Sequence, residues 1–329
     1  MKVGPLARGS GGGYGRAMRI VRDYQFVEQQ DRGASAAIGN FDGVHRGHQY
    51  VIDIARAEAG RIGAPLGVMT FEPHPRQYFA PKAPPFRLMN AEARAHRLDW
   101  LGVEKLYELS FNDTLSALTP EAFADEVIVR GLGLAHVVVG EDFRFGKGRA
   151  GGPAELAAFG AELGFGVTLA PLMHDTGEEI SSTAIRQALS EGRPRDAARM
   201  LGHWHRIDGK VIRGDQRGRD LGFPTANMSI TGLHPPKFGV YVVKVDVLTG
   251  PHAGEYGGAA SMGVRPMFGE NLPNLESYIF DFKGDIYDEH VSVALIDYIR
   301  PEEKYDGVAA LIAQMNADCA RAREVLAGL

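Results

Sequence analysis

From Ala34 to about Ala170, short runs rich in apolar and β-branched residues alternate with stretches whose apolar positions recur every three or four residues. The runs are Ser35–Phe41, Leu66–Phe71, Lys105–Leu109, His136–Gly140 and Gly166–Ala170; the periodic stretches lie near Gly47–Ala59, Ala91–Trp100, Pro120–Val129 and Pro153–Leu163. Strands separated by helices predict a parallel sheet, because a parallel neighbour is reached only through a long crossover. Five strands wound in this way make a Rossmann-like α/β domain, in which ligands settle at the carboxyl ends of the strands.

Past Ser181 two short helices are predicted, Thr183–Ser190 and Arg195–Leu201, parted by the Gly192–Pro194 break. From His205 to Tyr298 the period shortens to that of strands punctuated by Gly, Pro, Asn and Asp: Lys210–Arg213, Gly239–Val247, Gly257–Met262, Leu275–Phe282 and Val291–Ile296. A small antiparallel β-barrel closed by a C-terminal helix, Val308–Val325, is the simplest architecture for this half. The change of pattern places a domain boundary near Gly202, giving domains over 18–202 and 203–329. The first 17 residues, rich in glycine and without the apolar core of a secretion signal, are expected to be a disordered extension, with Met18 an alternative start.

Bulk properties narrow the function. At 329 residues the chain exceeds what one core serves, and 44% hydrophobic with 23% charged residues is the composition of a packed globular protein. A net charge of −5 argues against a nucleic-acid binder, and no stretch approaches the roughly 20 apolar residues of a membrane span. The single cysteine, Cys319, excludes an internal disulfide and points to a reducing, cytoplasmic setting. It follows Val308, Leu311, Ile312 and Met315 at helical spacing, which predicts packing rather than reactivity.

The densest chemistry in the first half is Gly39-Asn40-Phe41-Asp42-Gly43-Val44-His45-Arg46-Gly47-His48, where the first strand gives way to the first helix. His45 and His48, three residues apart, belong to one helix face, Gly47 leaves room for a close approach, and a helix start offers free N–H groups to phosphate oxygens. Such a site suits transfer at the α-phosphorus of ATP, with imidazole donors meeting the growing oxygen charge. Histidines here could also be simple caps. Zinc is disfavoured because no cysteine pair or evident third ligand accompanies them. Further on, Ser181-Ser182-Thr183 with Arg186 one turn later suits a helix cap and equally a grip on a triphosphate tail.

In the second half, Gly214-Asp215-Gln216-Arg217-Gly218-Arg219-Asp220-Leu221-Gly222 precedes a Pro224-Thr225-Ala226-Asn227 turn. Glycine-rich backbone can fold over a nucleotide, and the Thr hydroxyl and Asn carbonyl are oxygen ligands suited to Mg²⁺. Three other motifs fail: Gly146-Lys147-Gly148-Arg149 lacks the hydroxyl residue and glycine spacing of a P-loop, Asn227-Met228-Ser229 needs a secretory route to be glycosylated, and Arg213-Gly214-Asp215 is a chance tripeptide within the loop.

The His45/His48 run, Thr70-Phe71-Glu72-Pro73-His74-Pro75, Asp142-Phe143-Arg144-Phe145-Gly146, Ser181-Ser182-Thr183 with Arg186, and the Gly214–Asn227 run together resemble the bacterial bifunctional riboflavin kinase/FMN adenylyltransferase family, also called FAD synthetase, in that family's order and from about Arg19 to the C-terminus. The resemblance implies a nucleotidyltransferase domain followed by a kinase barrel, both using ATP as co-substrate with Mg²⁺. The ligands it implies are riboflavin, FMN, FAD and pyrophosphate, with neither nucleic acid nor membrane, in a monomer or transient oligomer. It implies that His45 and His48 contact ATP phosphates among Gly39, Phe41, Asp42, Gly43 and Gly47, and that Ser182, Thr183 and Arg186 hold the phosphate tail. Phe71, Pro73, His74, Pro75, Asp142, Phe143 and Arg144 would line the flavin and adenine site.

In the second half the resemblance implies that Gly214, Arg217 and Gly218 cover the nucleotide, that Thr225 and Asn227 hold Mg²⁺, and that Glu276 accepts the hydroxyl proton. By strand alternation Glu276 should share a face with Tyr278 and Phe280, opposite Leu275 and Ile279. The chain departs from the family pattern at Met267, where Thr is usual, and at Ser261, where Asn is frequent. Rival readings are a monofunctional enzyme with one decayed half and a flavin-sensing regulatory protein.

Overall fold

The computed structural model describes residues 18–171, 174–175, 178–214, 222–267 and 270–329. The predicted extension over 1–17 lies outside them, as do Arg217 and Gly218. The described residues form two compact units, the first of 18–84 with Arg94–Ser181, the second of Pro85–Ala93 with Ser182–Leu329.

The first unit is built on a six-stranded sheet of β1 (Arg19–Val21), β2 (Ser35–Ile38), β3 (Leu66–Glu72), β4 (Lys105–Ser110), β5 (His136–Gly140) and β6 (Gly166–Ala170), in the order β1-β4-β3-β2-β5-β6. Every pairing is parallel. The five expected strands thus run outward in both directions from β2, and the chain reverses its winding between β2 and β5, which is where an open α/β sheet leaves a crevice for ligands. Burial explains the apolar runs: Ala36, Met69, Leu109, Val137 and Val139 lie in one core cluster with Val127, Ile128 and Leu156 from the helices.

The unforeseen strand β1 is too short to show a period. It is pinned by charge, since Asp31 accepts from Arg19 Nε at 2.6 Å and from Lys105 Nζ at 2.7 Å. The Arg19 guanidinium, with Lys105 beside it, holds the Asp31 carboxyl down at about 2 against the opposing effect of burial.

Three helices follow the sequence closely, α1 over Arg46–Ile62, α3 over Ala91–Trp100 and α6 over Pro153–Leu163; α2 (Pro75–Phe79) and α4 (Asp113–Ala117) are short additions. The segment expected as one helix over Pro120–Val129 is instead α5 (Pro120–Ala122) running into a π-helix, Phe123–Leu132, that ends at Gly133 in the left-handed region. The wider π turn lets Phe123, Ala124, Val127, Ile128 and Leu132 all enter the core.

In the second unit, α7 (Ser182–Ser190) and α8 (Pro194–Leu201) bury Ile185, Leu189, Ala197 and Leu201 against Leu88. After a two-stranded antiparallel ribbon in the first unit, β7 (His174–Asp175) with β8 (Glu178–Glu179), the second unit continues with β9 (His205–Lys210), β10 (Thr225–Ser229), β11 (Gly239–Val247), β12 (Gly254–Met267), β13 (Glu270–Ile279) and β14 (His290–Arg300), an antiparallel sheet ordered β10-β13-β12-β11-β14-β9. Just past β9, Ile212 bridges to Asn227 of β10, so the two edges meet and the sheet curls toward a barrel.

Two expectations are corrected here. The strand read at Lys210–Arg213 lies earlier, over His205–Lys210, and the Thr225–Asn227 turn is the start of strand β10, stabilised by pairing with distant β13. Along β11, Tyr241, Val243, Val245 and Val247 face the inner core, while Val242 faces outward with Ala259, Phe280 and Ile296. That outer face is covered by α9 (Val308–Ala327), through Ala322, Val325, Leu326 and Cys319. Among the described residues no helix is long and apolar enough to cross a membrane.

Candidate active sites

In the first unit the expected strand over Ser35–Phe41 stops at Ile38, and Gly39–Val44 is a tight turn with positive φ at Phe41 (51°), Gly43 (87°) and Val44 (42°). Only Gly43 adopts that region cheaply; a β-branched valine there is strained. The strain is held by packing, for the Phe41 and Val44 side chains are almost fully buried. From below, Asn40 O accepts from Thr70 Oγ1 at 3.1 Å.

This turn delivers His45 as the N-cap of α1, outside the helix proper, where its Nδ1 accepts from the His48 backbone N–H at 3.3 Å. Accepting at Nδ1 places the proton of a neutral His45 on Nε2, leaving that edge as a donor. The His45 and His48 rings stack with centroids 3.7 Å apart and planes 19° from parallel. Gly47 makes the stack possible, since a Cβ there would stand 3.2 Å from the His45 ring. Burial, and then the neighbouring His45, push the His48 pKa well below the usual imidazole range, so His48 is neutral near pH 7. Its Nδ1 is buried without a hydrogen-bond partner among the described residues. Asp42 is also buried.

Loops at the neighbouring strand ends bring up the other predicted residues. After β3, Phe71 packs edge-on against Phe111, while His74 caps α2 by accepting from Arg76 N at 3.0 Å, with Pro75 as the first helical residue. After β5, Phe143 N donates to Gly140 O at 3.0 Å, closing a turn that leaves Asp142 and Arg144 exposed while Phe143 stacks on Phe145. The loops after β2 and β5 flank the reversal in strand order.

One residue that no motif marks supports these loops. Arg94 is wholly buried and donates to Glu72 at 2.9 Å and to Glu108 at 3.0 Å, tying the ends of β3 and β4 to α3. Its role depends on strand order, which the sequence does not display.

Ser182, Thr183 and Arg186 begin α7 in the second unit. Arg186 donates to Phe86 O at 3.3 Å and to Thr183 Oγ1 at 3.4 Å, and it lies over the Phe86 ring.

The other cluster of the second unit is set by strand register. Asn227 on β10 and Ser261 on β12 both pair with Glu276 of β13, one on each side. Glu276 is half-buried, with Leu275 and Ile279 directed to the inner core on the opposite face. Asn227 Nδ2 lies 3.4 Å from both Thr225 O and Thr225 Oγ1. Gly214 is needed for this approach, because a Cβ there would stand 2.7 Å from the Asn227 carboxamide. A cavity of about 290 Å³ is lined by Val211, Gly214, Thr225 and Asn227 on one side and by Phe282 and Tyr287 on the other. Arg213 lies over the Tyr287 ring at 4.6 Å. Asn274, also unmarked by any motif, donates to Asn227 Oδ1 at 3.1 Å and to Glu276 Oε1 at 3.3 Å.

Comparison with known proteins covers both halves of the chain. Residues 27–184 match the FAD synthetase family model and residues 201–326 the riboflavin kinase model. Proteins named bifunctional riboflavin kinase/FMN adenylyltransferase are similar throughout: that of Pseudomonas fluorescens is 39% identical over 94% of this chain and 98% of its own, and that of Escherichia coli strain K12 is 36% identical over 93% and 97%. The fold is shared with the crystal structure of a macrolide-efflux protein from Streptococcus pneumoniae, at TM-score 0.78 and 32% identity over 92% of this chain and 97% of that one. With both halves matched in order and relatives aligned nearly end to end, the chain belongs to the bifunctional riboflavin kinase/FMN adenylyltransferase family.

Proposed function

We propose that the second unit transfers the γ-phosphoryl group of ATP to the primary hydroxyl of riboflavin, giving FMN and ADP, and that the His45/His48 cluster joins FMN to the adenylyl group of a second ATP, giving FAD and pyrophosphate. The observation that carries this reading is the presence, in one chain, of two separately built polar clusters, each falling within its own family match.

In the kinase half, Glu276 takes the hydroxyl proton as the alcohol oxygen bonds to the γ-phosphorus and the bond to ADP breaks. Its register opposite Asn227 puts the base beside the residues fitted to a cation. Thr225 Oγ1 and Asn227 Oδ1 are uncharged oxygen donors on one strand, a set that suits a hard cation already carrying phosphate oxygens. Mg²⁺ held there would neutralise charge on the phosphate oxygens. Gly214, with Arg217 and Gly218 of the following loop, would cover the nucleotide.

In the adenylyltransferase half, an FMN phosphate oxygen attacks the α-phosphorus and pyrophosphate leaves. The Nε2 edge of His45, together with His48, donates to oxygens on which charge grows, amid backbone of the Gly39–Gly47 turn. The resemblance to the family assigns the phosphate tail to Ser182, Thr183 and Arg186 at the start of α7. Phe71, Pro73, His74, Pro75, Asp142, Phe143 and Arg144 receive the flavin and the adenine. A cytoplasmic monomer or transient oligomer completes the reading; the half-buried Cys319 thiol, pushed up to about 11 chiefly by desolvation, fits a packing rather than a redox role.

The test is product analysis of timed reactions. With riboflavin and MgATP the protein forms FMN and then FAD. His48→Ala stops at FMN, its adenylylation slowed by about 10²–10³-fold. Glu276→Gln slows FMN formation by about 10²–10⁴-fold while still converting supplied FMN to FAD. Loss of both conversions from either single change in a folded protein would refute independent sites.

A further inference from the structure

Asn274 stands two residues before Glu276 on β13, so the two side chains share a face of the strand. It is 4% exposed, and its surroundings are polar on one side only: Leu275 beside it belongs to the inner apolar core. Each proton of its Nδ2 group meets a different acceptor, Asn227 Oδ1 at 3.1 Å and Glu276 Oε1 at 3.3 Å. Asn227 in turn directs its own Nδ2 toward Thr225. A carboxamide has two nearly isosteric orientations, and only one of them offers oxygen to a cation. With a donor fixed at its oxygen end and acceptors at its nitrogen end, Asn227 is held in that orientation, and a second lone pair of Oδ1 is left for a metal. Asn274 Oδ1 is itself buried with no hydrogen-bond partner among the described residues. Buried carboxamides normally satisfy both ends, so this one favours aiming its donors over completing its own bonding.

We propose that Asn274 is a positioning residue of the phosphoryl-transfer site, a single amide that orients the Asn227 oxygen for the cation and the Glu276 carboxylate for the substrate hydroxyl at once. The proposal rests on the kinase reading of this unit. It adds a residue identified by cross-strand geometry, outside the glycine-rich loop and the Thr-Ala-Asn run.

Donor chemistry and side-chain volume make opposite demands, and variants separate them. Asn274→Leu fills nearly the same volume without a donor; Asn274→Ser is smaller but keeps one. FMN formation is measured across a Mg²⁺ titration, riboflavin binding by flavin fluorescence, and conversion of supplied FMN to FAD on the same preparations. For Asn274→Leu, kcat for FMN formation is expected to fall by about 10–100-fold, as for a reacting group displaced by a fraction of an ångström. The Mg²⁺ concentration for half activity should rise several-fold while the KM for riboflavin and FAD formation stay near the wild-type values. Asn274→Ser should retain more activity than Asn274→Leu. Asn274→Ala should add only part of its own loss to that already caused by Asn227→Ala, because the contact between the two is shared while the one to Glu276 remains.

The proposal is overturned if Asn274→Leu outperforms Asn274→Ser, which would rank the variants by packing, or if the Asn227 and Asn274 losses add in full. Loss of riboflavin binding together with turnover in the serine variant would likewise mark Asn274 as structural. A wild-type protein that binds riboflavin but forms no FMN would instead remove the kinase reading itself, a result distinguishable from any ranking of variants.

Discussion

His45 and His48 occupy one stack yet are held differently. His45 has its Nδ1 committed to the His48 backbone, whereas His48 sits with a buried and unpartnered Nδ1 and a pKa driven down by desolvation. A positive charge on His48 would be both desolvated and set against the neighbouring ring, so this ring is held neutral near pH 7. Proton NMR of the imidazole Cε1–H should therefore show no titration of His48 near 6.5, with the inflection displaced to well below that value. A midpoint at the ordinary imidazole value would mean that the ring is solvated and the stack is not formed in solution. The histidine pair was legible in the sequence because its spacing is local. Capping was one reading open to these histidines in the sequence; that His45 takes it while His48 lies inside the helix was not legible, since it depends on where the helix begins, after the Gly39–Val44 turn.

Between elements, Arg94 does for the first unit what no local motif could announce. It joins α3 to the ends of β3 and β4 through Glu72 and Glu108, the second of these also approached by Arg22 Nε at 3.3 Å. Removing the guanidinium would leave a buried Glu108 carboxylate with only an exposed partner. Arg94→Met is expected to destabilise the first unit by about 3 kcal/mol, the low end for breaking a buried pair because Glu72 keeps some access to water. Urea unfolding followed by a probe in this unit measures it, and FAD formation should weaken while FMN formation persists. An unchanged midpoint would show that the ion pairs contribute nothing net. Strand β10 illustrates the same limit on local reading: Thr225–Ser229 looks like a turn after Pro224, and only its pairing with β13, some fifty residues away, draws it into the sheet.

Over the whole molecule, burial of histidine links stability to pH. In the second unit His205 is 3% exposed, and desolvation, reinforced by His234, lowers its pKa to about 4, Asp208 opposing weakly. Because the folded value lies below the unfolded one, the unfolded chain binds the proton first as pH falls. Stability is thus full above about pH 6.5 and declines between there and about pH 4, by on the order of 3 kcal/mol in total. Chemical unfolding of the second unit at pH 7 and pH 5 should show this loss, and His205→Gln should flatten it. A wild-type midpoint that did not move between those two values would contradict a neutral buried imidazole. His48 acts in the same direction in the first unit.

Local spacing alone determined a good deal: the alternation of strand and helix, the switch to short strands past Gly202, the order of the motifs and the residues in them. These are near-neighbour properties, carried by periods of two and of about three and a half residues and by glycine and proline. Tertiary structure decided which strands are neighbours, and with that everything dependent on register: the Asn227–Glu276–Ser261 row, the Asn274 amide across it, Arg94 beneath the first site and the closing bridge from Ile212 to Asn227. Such contacts join residues far apart in the chain, and a hydrogen bond of about 3 Å depends on pairing that no short window of sequence contains.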